Sequence, residues 1–299
     1  MESKHIEYIK QMKDIKTYEN VSLKNYTSFK LNEKASMIVY PSSISSIVEL
    51  LKYLDKEKIK HKILGNGSNL IFINDYDGVL IKLDELNNLN INDTVITVGA
   101  GYSLTKLAIK VSKMGLTGLE FATGIPGTVG GAVYMNAGAY KSDMGYIVSQ
   151  IEVLTPDYQI KTLYNKDLDF HYRSSFLQKN PGYICLEATI VLKNGNKDEI
   201  NELIEERKQR RLMTQPLEYP SAGSVFRNPD NDYAGRLIES VGYKNRNVND
   251  AYVSEKHANF IINKGSATGK DIKELIKEIQ NNVKKEFGIE LKAEQEFVE

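Results

Sequence analysis

Short β-rich runs alternate with two helical patterns in the first two-thirds of the chain. Ile44, Ile47, Leu51 and Leu54 recur at helical spacing directly after Pro41-Ser42-Ser43, where a serine is well placed to cap a helix. A second helix is predicted over 103–113, because its apolar residues share one face and Gly115 follows where a left-handed residue would end the helix. Apolar runs separated by Gly, Asn and Asp predict strands over 63–64, 70–73, 79–81, 95–98, 148–154 and 183–192.

The last third of the chain has a more helical pattern. It predicts a charged helix over 197–212, a Pro/Gly-rich loop over 215–229, a helix over 233–241 and a long helix over 271–287 that ends at Gly288. A final strand is predicted over 289–297, with apolar and polar residues alternating. The Lys-Asn-Gly-Asn run at 193–196 is typical of a linker. We therefore place a domain boundary near Gly195 and expect an α+β unit after it.

Composition indicates a globular protein with no global charge. A chain of 299 residues with 41% hydrophobic content is long for one core, which favours two or three domains. The 39 basic residues balance the 39 acidic ones, so no overall field draws the protein to nucleic acid or to an anionic membrane. Any anion site must be local.

The cysteine, histidine and apolar content excludes several further classes of protein. A single cysteine, Cys185, lies in an apolar run and is interpreted as a packed core residue. The 4 histidines lack the paired spacing of metal sites, so no metal is expected. No signal segment or membrane span is evident, which makes a cytoplasmic location the expectation. No obligate protein partner is evident either.

Two glycine-rich loops are candidates for phosphate binding. The first is Gly65-Asn66-Gly67-Ser68-Asn69, whose glycines allow positive φ and whose amides could converge on a phosphate; a plain hairpin turn is the alternative. The second runs from Gly124 to Ala132, with a proline where a helix could start. Close packing of a helix on a sheet is its alternative interpretation. Neither loop has the spacing of a Rossmann or Walker motif, so a different scaffold is required.

Five stretches, taken in order, resemble the UDP-N-acetylenolpyruvylglucosamine reductases. They are GNGSN at 65–69, GLEFATGIPGTVGGAVYMNAGAY at 118–140, YRSS at 172–175, YPSAGSVFRNP at 219–229 and ELKAEQEF at 290–297. The resemblance implies an α+β protein in which a bipartite FAD-binding region of the vanillyl-alcohol-oxidase (PCMH) type precedes an α+β substrate-binding domain. The implied segments are a leader over 1–20, FAD-binding subdomains over 21–83 and 84–195, and a substrate domain over 196–299.

The resemblance also implies a reaction and a cofactor. Family members use NADPH and a tightly bound FAD to reduce UDP-N-acetylglucosamine enolpyruvate to UDP-N-acetylmuramate, a precursor of peptidoglycan. The short chain between Arg173 and Tyr183 is similar to the family type that lacks an additional substrate-capping loop. The residues implied for FAD are Gly65, Asn66, Gly67, Ser68, Asn69, Gly124, Ile125, Pro126, Gly127, Gly130, Gly131, Ala132, Asn136, Ala137 and Gly138.

Three residues match the family's catalytic positions. Arg173 would stabilise the negative charge of an enolate, which a planar and always charged guanidinium suits; a surface ion pair with Asp167 or Asp169 is the alternative. Ser224 would give a proton to the α-carbon, where the alternative is a simple turn. Glu294 would complete the trio, and a solvated polar face is the alternative for it.

Tyr134 and Asn228 fall in the matched stretches and are candidates for substrate contacts, and Arg211 is a candidate because it belongs to a basic cluster just before the Ser224 loop. The chain departs from the family at Thr214 and Glu296, where basic residues are usual, and we expect Arg211 or Arg227 to take over phosphate binding. These departures motivate one alternative function, a non-catalytic flavin or nucleotide-sugar binding protein. A second alternative is a serine hydrolase that uses Ser224 with His257, although no acid partner or exposed elbow motif supports it.

Overall fold

The structure is a computed structural model that describes residues 1–299. None of its helices combines the length and the apolar character that crossing a membrane requires. The α-helices are α1 Ser3–Lys10, α2 Ile44–Lys56, α3 Leu104–Lys113, α4 Val129–Met135, α5 Phe176–Lys179, α6 Lys197–Thr214, α7 Ala234–Ser240 and α8 Gly269–Phe287. The short 3-10 helices are Leu23–Asn25, Glu120–Ala122, Met144–Tyr146 and Asn165–Asp167.

The strands are short and occur along the whole chain. In order they are β1 Ile15–Ser22, β2 Lys34–Pro41, β3 His61–Ile63, β4 Leu70–Phe72, β5 Tyr76–Ile81, β6 Leu89–Asn92, β7 Val95–Gly99, β8 Leu116–Thr117, β9 Gly138–Ala139, β10 Ser142–Asp143, β11 Val148–Leu154, β12 Ile160–Tyr164, β13 Ile184–Val191, β14 Lys193–Asn194, β15 Asn247–Val248, β16 Ala251–Val253, β17 Ile261–Asn263 and β18 Glu296–Val298. The predicted mixture of helices and strands is confirmed.

The chain folds into two compact units, each made of three segments. The first contains Met1–Tyr18, Met37–Asn66 and Gly78–Lys208. The second contains Glu19–Ser36, Gly67–Asp77 and Gln209–Glu299. These units are defined by compactness and not by ligand binding. The predicted leader, FAD-binding subdomains and substrate domain therefore stay a prediction.

A five-stranded antiparallel sheet organises the first unit. Its strand order is β12-β11-β13-β7-β6, and α4 packs against β13. Side chains of alternate residues on the central strands, such as Ile151 and Val153 on β11, are buried because one face of the sheet meets the core. Also in this unit, β3 pairs in parallel with the part of β5 from Val79 to Ile81.

The predicted helices of the first unit are confirmed together with their ends. The Ser43 hydroxyl accepts a hydrogen bond from the Ser46 N–H at 3.1 Å, so α2 starts where the sequence predicts. The Ser103 hydroxyl caps α3 in the same way, at 3.4 Å from the Lys106 nitrogen. Gly115 has a φ of 84°, the left-handed conformation expected just after this helix.

The second unit packs its long helix against a small sheet. Strands β15, β16 and β17 form an antiparallel sheet, and α8 contacts β15, β16 and α7. Strand β18 pairs in parallel with β4, so that Phe297 lies opposite Ile71. Helix α8 begins at Gly269, before the predicted Asp271, because Thr268 and Asp271 form a capping box. It ends as predicted, with Gly288 left-handed.

Two predictions near domain ends are wrong. Only Glu296–Val298 of the predicted strand over 289–297 is strand, because residues 292–294 instead make isolated backbone bonds to the segment around Phe226. The predicted linker is also partly structured. Lys193–Asn194 form β14 and pair with β8. The Gly195 N–H donates to the Gly115 carbonyl at 2.8 Å. Apolar alternation alone could not distinguish these arrangements.

Candidate functional site

Gly65, at the start of the first glycine-rich loop, lies against the second glycine-rich loop within the first unit. A Cβ at Gly65 would lie 3.0 Å from the Thr128 hydroxyl oxygen, so the start of the first loop lies directly on the second. The buried Lys82 ammonium donates to the Gly65 carbonyl at 2.8 Å and lies 3.2 Å from an Asp84 carboxylate oxygen. A buried, paired ammonium therefore holds the first loop in place.

The first loop leaves backbone donors available. No hydrogen bond within the chain uses the N–H groups of Gly65, Asn66 or Gly67. Gly67 is left-handed with a φ of 58°, and a Cβ there would lie 2.0 Å from the Tyr26 carbonyl oxygen, so only glycine fits. The alternative of a hairpin turn is wrong, because β3 pairs with β5 and β4 pairs with β18.

In the second loop, the first N–H groups of α4 are already occupied. Those of Val129 and Gly130 donate to the carbonyls of Tyr102 and Ala100 at 2.9 and 2.8 Å, and that of Gly131 donates to the Thr128 hydroxyl at 3.2 Å. The close-packing interpretation thus describes Gly130, where a Cβ would lie 2.8 Å from the Ala100 Cβ. The donors without an acceptor in the chain precede the helix, at Gly127 and Thr128.

The Asn136–Gly138 stretch supports the turn that carries Arg173. Asn136 is 1% exposed; its side-chain amide donates to the His171 carbonyl at 2.9 Å and accepts from the Gly145 N–H at 2.9 Å. The Gly138 carbonyl accepts from Arg173 Nη2 at 2.6 Å. The polar side-chain atoms of Asn136 are therefore committed within the chain.

Arg173 lies at the tip of a tight turn. His171 and Ser174 exchange backbone hydrogen bonds of 3.0 Å, and Arg173 has a left-handed φ of 53°. Its guanidinium carbon lies 5.1 Å from the centre of the Tyr172 ring. A carboxylate that the sequence offered as its partner, Asp169, bonds to Lys179, which lowers the pKa of Asp169 below its ordinary value.

Tyr134, a predicted substrate contact, lies on α4. Its carbonyl accepts a hydrogen bond of 2.6 Å from the Ser175 hydroxyl, and Ser175 is fully buried. The Tyr134 backbone therefore anchors the chain just after Arg173. The predicted substrate role of its side chain stays a prediction.

In the second unit, backbone hydrogen bonds bring Ser224 and Glu294 together. The Glu294 N–H donates to the Val225 carbonyl at 2.7 Å, and the Gln295 side chain donates to the Ser224 carbonyl at 2.7 Å. The Asn69 side chain in turn donates to the Glu294 carbonyl at 3.0 Å. No hydrogen bond within the chain involves the Ser224 hydroxyl, which leaves it available to a ligand.

Ser224 lines a pocket of about 340 Å³ in the second unit. A volume of that order suits a small molecule. The isolated bridge between Ser224 and Phe260 brings the chain around His257 to the pocket. The other lining residues are Asn228, Tyr233, Gly235, Arg236, Glu239, Lys244, Lys256, His257, Ala258 and Asn259.

The cations of this pocket differ in how far they are neutralised. Arg236 pairs with Asp232, and that hydrogen bond lowers the pKa of Asp232 to about 2. Lys244 lies 2.7 Å from a carboxylate oxygen of its neighbour Glu239. Lys256 instead donates to the Leu212 carbonyl at 2.7 Å, and its ion pair with Glu218 spans 3.9 Å. Lys256 therefore has the least compensated charge.

The sequence did not identify the lysines of the pocket. No spacing motif connects residue 224 with residue 244 or 256, and the bridge between Ser224 and Phe260 joins segments that are distant in the sequence. Of the predicted substrate residues, Asn228 lines the pocket and its side-chain oxygen accepts from the Ala234 N–H at 3.1 Å. Arg211 Nε donates to the Gln215 side chain at 3.1 Å, outside the pocket lining.

His257 is a neutral donor in this setting. Burial lowers its pKa, and its Nδ1 accepts the Asn259 N–H at 3.2 Å, so that the proton of the neutral ring lies on Nε2. A hydrolytic triad would need a carboxylate at Nδ1, where the structure has a backbone N–H. The serine hydrolase alternative therefore has no support.

A consequence for stability follows from the lowered pKa of His257. Below about pH 6.5 the unfolded chain takes up a proton at this histidine that the folded chain resists, so acid lowers the free energy of unfolding. His257→Gln removes this contribution. We expect urea unfolding at about pH 7.5 and about pH 5 to show a smaller acid-induced loss in the variant than in the wild type. Equal losses would contradict the neutral buried histidine.

Comparisons with known proteins agree with this arrangement. Residues 35–164 match the family described as FAD binding domain, and residues 215–298 match the UDP-N-acetylenolpyruvoylglucosamine reductase, C-terminal domain. This confirms the predicted order of an FAD-binding region followed by a second domain. The chain is 46% identical over 282 residues to the UDP-N-acetylenolpyruvoylglucosamine reductase of Anoxybacillus flavithermus, covering 94% of this chain and 93% of that one.

Two further relatives extend the match over nearly the whole chain. The enzyme of the same name from Bacillus subtilis is 40% identical over 297 residues, covering 99% of this chain and 98% of that one. The crystal structure of UDP-N-acetylenolpyruvylglucosamine reductase from Thermus caldophilus has a TM-score of 0.82 and 33% identity, covering 95% of this chain and 100% of that one. The chain belongs to the UDP-N-acetylenolpyruvoylglucosamine reductase family.

Proposed function

We propose that this protein uses NADPH and a tightly bound FAD to reduce UDP-N-acetylglucosamine enolpyruvate to UDP-N-acetylmuramate, in the cytoplasm, as a step of peptidoglycan precursor synthesis. The observation that carries the proposal is a pocket lined by the weakly compensated Lys256 and by Ser224, whose hydroxyl makes no hydrogen bond within the chain. All three relatives named above are reductases, so the alternative of a non-catalytic binding protein gains no support.

The glycine-rich loops fit an FAD diphosphate. The unused N–H groups of the first loop, together with those of Gly127 and Thr128, offer several donors to an anion. The loop can adopt this shape only with glycine at position 67, because a side chain there would collide with the Tyr26 carbonyl. We assign FAD binding to the segments over 21–83 and 84–195, and substrate binding to 196–299. When bound, FAD supplies the hydride, taken from NADPH, for the methylene carbon of the enolpyruvyl group.

Three side chains of the chain itself would support the chemistry on the substrate. The Ser224 hydroxyl donates a proton to the α-carbon, which is reasonable for a weak acid because an enolate carbon is strongly basic. Arg173, held by the Gly138 carbonyl, stabilises the negative charge that grows on the substrate carboxylate. Glu294, fixed through its backbone beside Val225, completes the set.

Lys244, Lys256 and His257 would bind the substrate diphosphate. The two ammonium groups supply charge, and the neutral His257 supplies one N–H donor at Nε2. Thr214 bonds back to the Arg210 carbonyl at 2.7 Å, so its hydroxyl is used within its own helix. Arg211 and Arg227 are not among the residues that line the pocket, so we prefer the pocket lysines as the phosphate ligands.

The proposal is tested by following the flavin in its two half-reactions. Purified protein should be yellow, and anaerobic NADPH should bleach its flavin absorption. Adding the enolpyruvyl sugar nucleotide should then restore the absorption and produce the lactyl ether, measured by mass spectrometry. Failure of NADPH to bleach the flavin would overturn the reductase proposal. Bleaching that the sugar nucleotide cannot reverse would indicate a flavoprotein that acts on another acceptor.

A further inference from the structure

Tyr233 combines exposure with a place in the Ser224 pocket. Tyr233 is 70% exposed and is one of the residues that line the pocket. No hydrogen bond or ring contact within the chain involves this side chain. Folding therefore gains little from the ring, and an aromatic surface is left available for a ligand.

The backbone of Tyr233 is held firmly despite this exposure. Its N–H donates to an Asp232 carboxylate oxygen at 2.7 Å, and its carbonyl accepts from the Leu237 N–H at 3.2 Å. The next residue, Ala234, donates to the Asn228 side chain at 3.1 Å. A ring on a fixed backbone loses little conformational freedom when a ligand stacks on it.

The rest of the pocket indicates what kind of ligand would use this ring. Lys256 and Lys244 give the pocket a positive character that suits a diphosphate, and His257 adds a neutral donor. A flat, exposed aromatic ring suits a nucleobase, because every base presents a π-face. A nucleoside diphosphate combines both features.

We propose that Tyr233 is the binding platform on which the nucleobase of the substrate stacks. This inference rests on the proposed function and adds to it a residue that determines affinity for the nucleotide part of the substrate. Stacking makes no use of the phenol hydroxyl, so Phe should replace Tyr at this position. The lysines of the pocket act on the phosphates and should contribute separately.

The test is calorimetric titration of the FAD-containing protein with UDP and, separately, with inorganic pyrophosphate. Tyr233→Ala should weaken UDP binding about tenfold, as expected for the loss of one base stack, and leave pyrophosphate binding unchanged. Tyr233→Phe should bind UDP like the wild type.

Lys256→Gln should weaken the binding of both UDP and pyrophosphate, because both ligands carry the diphosphate. Tyr164→Ala, at a tyrosine that is 54% exposed on the edge strand β12, is the matched control and should change neither.

Steady-state kinetics give a second readout. Tyr233→Ala should raise the KM for the sugar nucleotide with little change in kcat, since the ring acts on the part of the substrate that does not react. Equal weakening of UDP and pyrophosphate, or unchanged UDP binding, would overturn the inference. The proposed function fails separately: wild-type protein could bind UDP through Tyr233 and still not return electrons from its reduced flavin to the sugar nucleotide.

Discussion

Ser224→Ala should slow reoxidation of the reduced flavin by the enolpyruvyl sugar nucleotide about 10²–10⁴-fold, the usual contribution of a positioned proton donor. The substitution removes a hydroxyl that forms no hydrogen bond within the chain, so the fold should be unaffected. Reduction of the flavin by NADPH should keep its wild-type rate, because that half-reaction needs no proton at the substrate carbon. Anaerobic stopped-flow absorbance measures both rates.

Ser221→Ala is the matched control for this prediction. Ser221 lies in the same loop but does not line the pocket, and its removal should leave both half-reactions unchanged. If Ser224→Ala slows both half-reactions equally, the hydroxyl supports flavin binding or the loop and is not the proton donor. If it slows neither, another group supplies the proton.

The features that the sequence predicted well are those determined by neighbouring residues. Helix α2 begins at the serine that caps it, and α8 ends at the glycine that permits a left-handed residue. Each signal lies within one turn of the helix end, so it can be read from a short window of sequence. The loop at 65–69 was also recognised from the sequence, although the strand partners of the flanking β3 and β4 were not.

The features that the sequence could not predict depend on contacts between distant segments. Residues 292–294 alternate like a strand, but backbone bonds to the segment at 225–227 hold them outside any sheet. The occupied N–H groups of α4 depend on the carbonyls of Ala100 and Tyr102. Lys256 and Ser224 are distant in the sequence, and the bridge between Ser224 and Phe260 brings their segments together. The candidate catalytic residues came from resemblance to a family, and the cationic pocket came from the fold.

Gly67→Ala should abolish tight FAD binding and destabilise the protein. A Cβ at this position would lie 2.0 Å from the Tyr26 carbonyl oxygen, a distance that real contacts do not reach, so the loop must move. The left-handed φ adds about 1–2 kcal/mol for any residue with a Cβ, and forcing atoms into a packed site costs about 1–3 kcal/mol more. Movement would also displace the N–H groups at 65–67, which we propose bind the FAD diphosphate. The ratio of flavin to protein absorbance and the thermal unfolding midpoint measure the two effects.

Gly288→Ala separates the two causes of the Gly67 effect. Gly288 is also left-handed, with a φ of 68°, but a Cβ there would meet nothing within 4 Å. Gly288→Ala should therefore lower the free energy of unfolding only by the conformational cost of about 1–2 kcal/mol, and it should keep a full complement of FAD. If Gly67→Ala retained FAD and unfolded like Gly288→Ala, the close approach at Tyr26 would not matter and the first loop would not be the phosphate cradle. If Gly67→Ala alone loses FAD, the requirement for glycine lies in the shape of the loop that presents its amides to the cofactor.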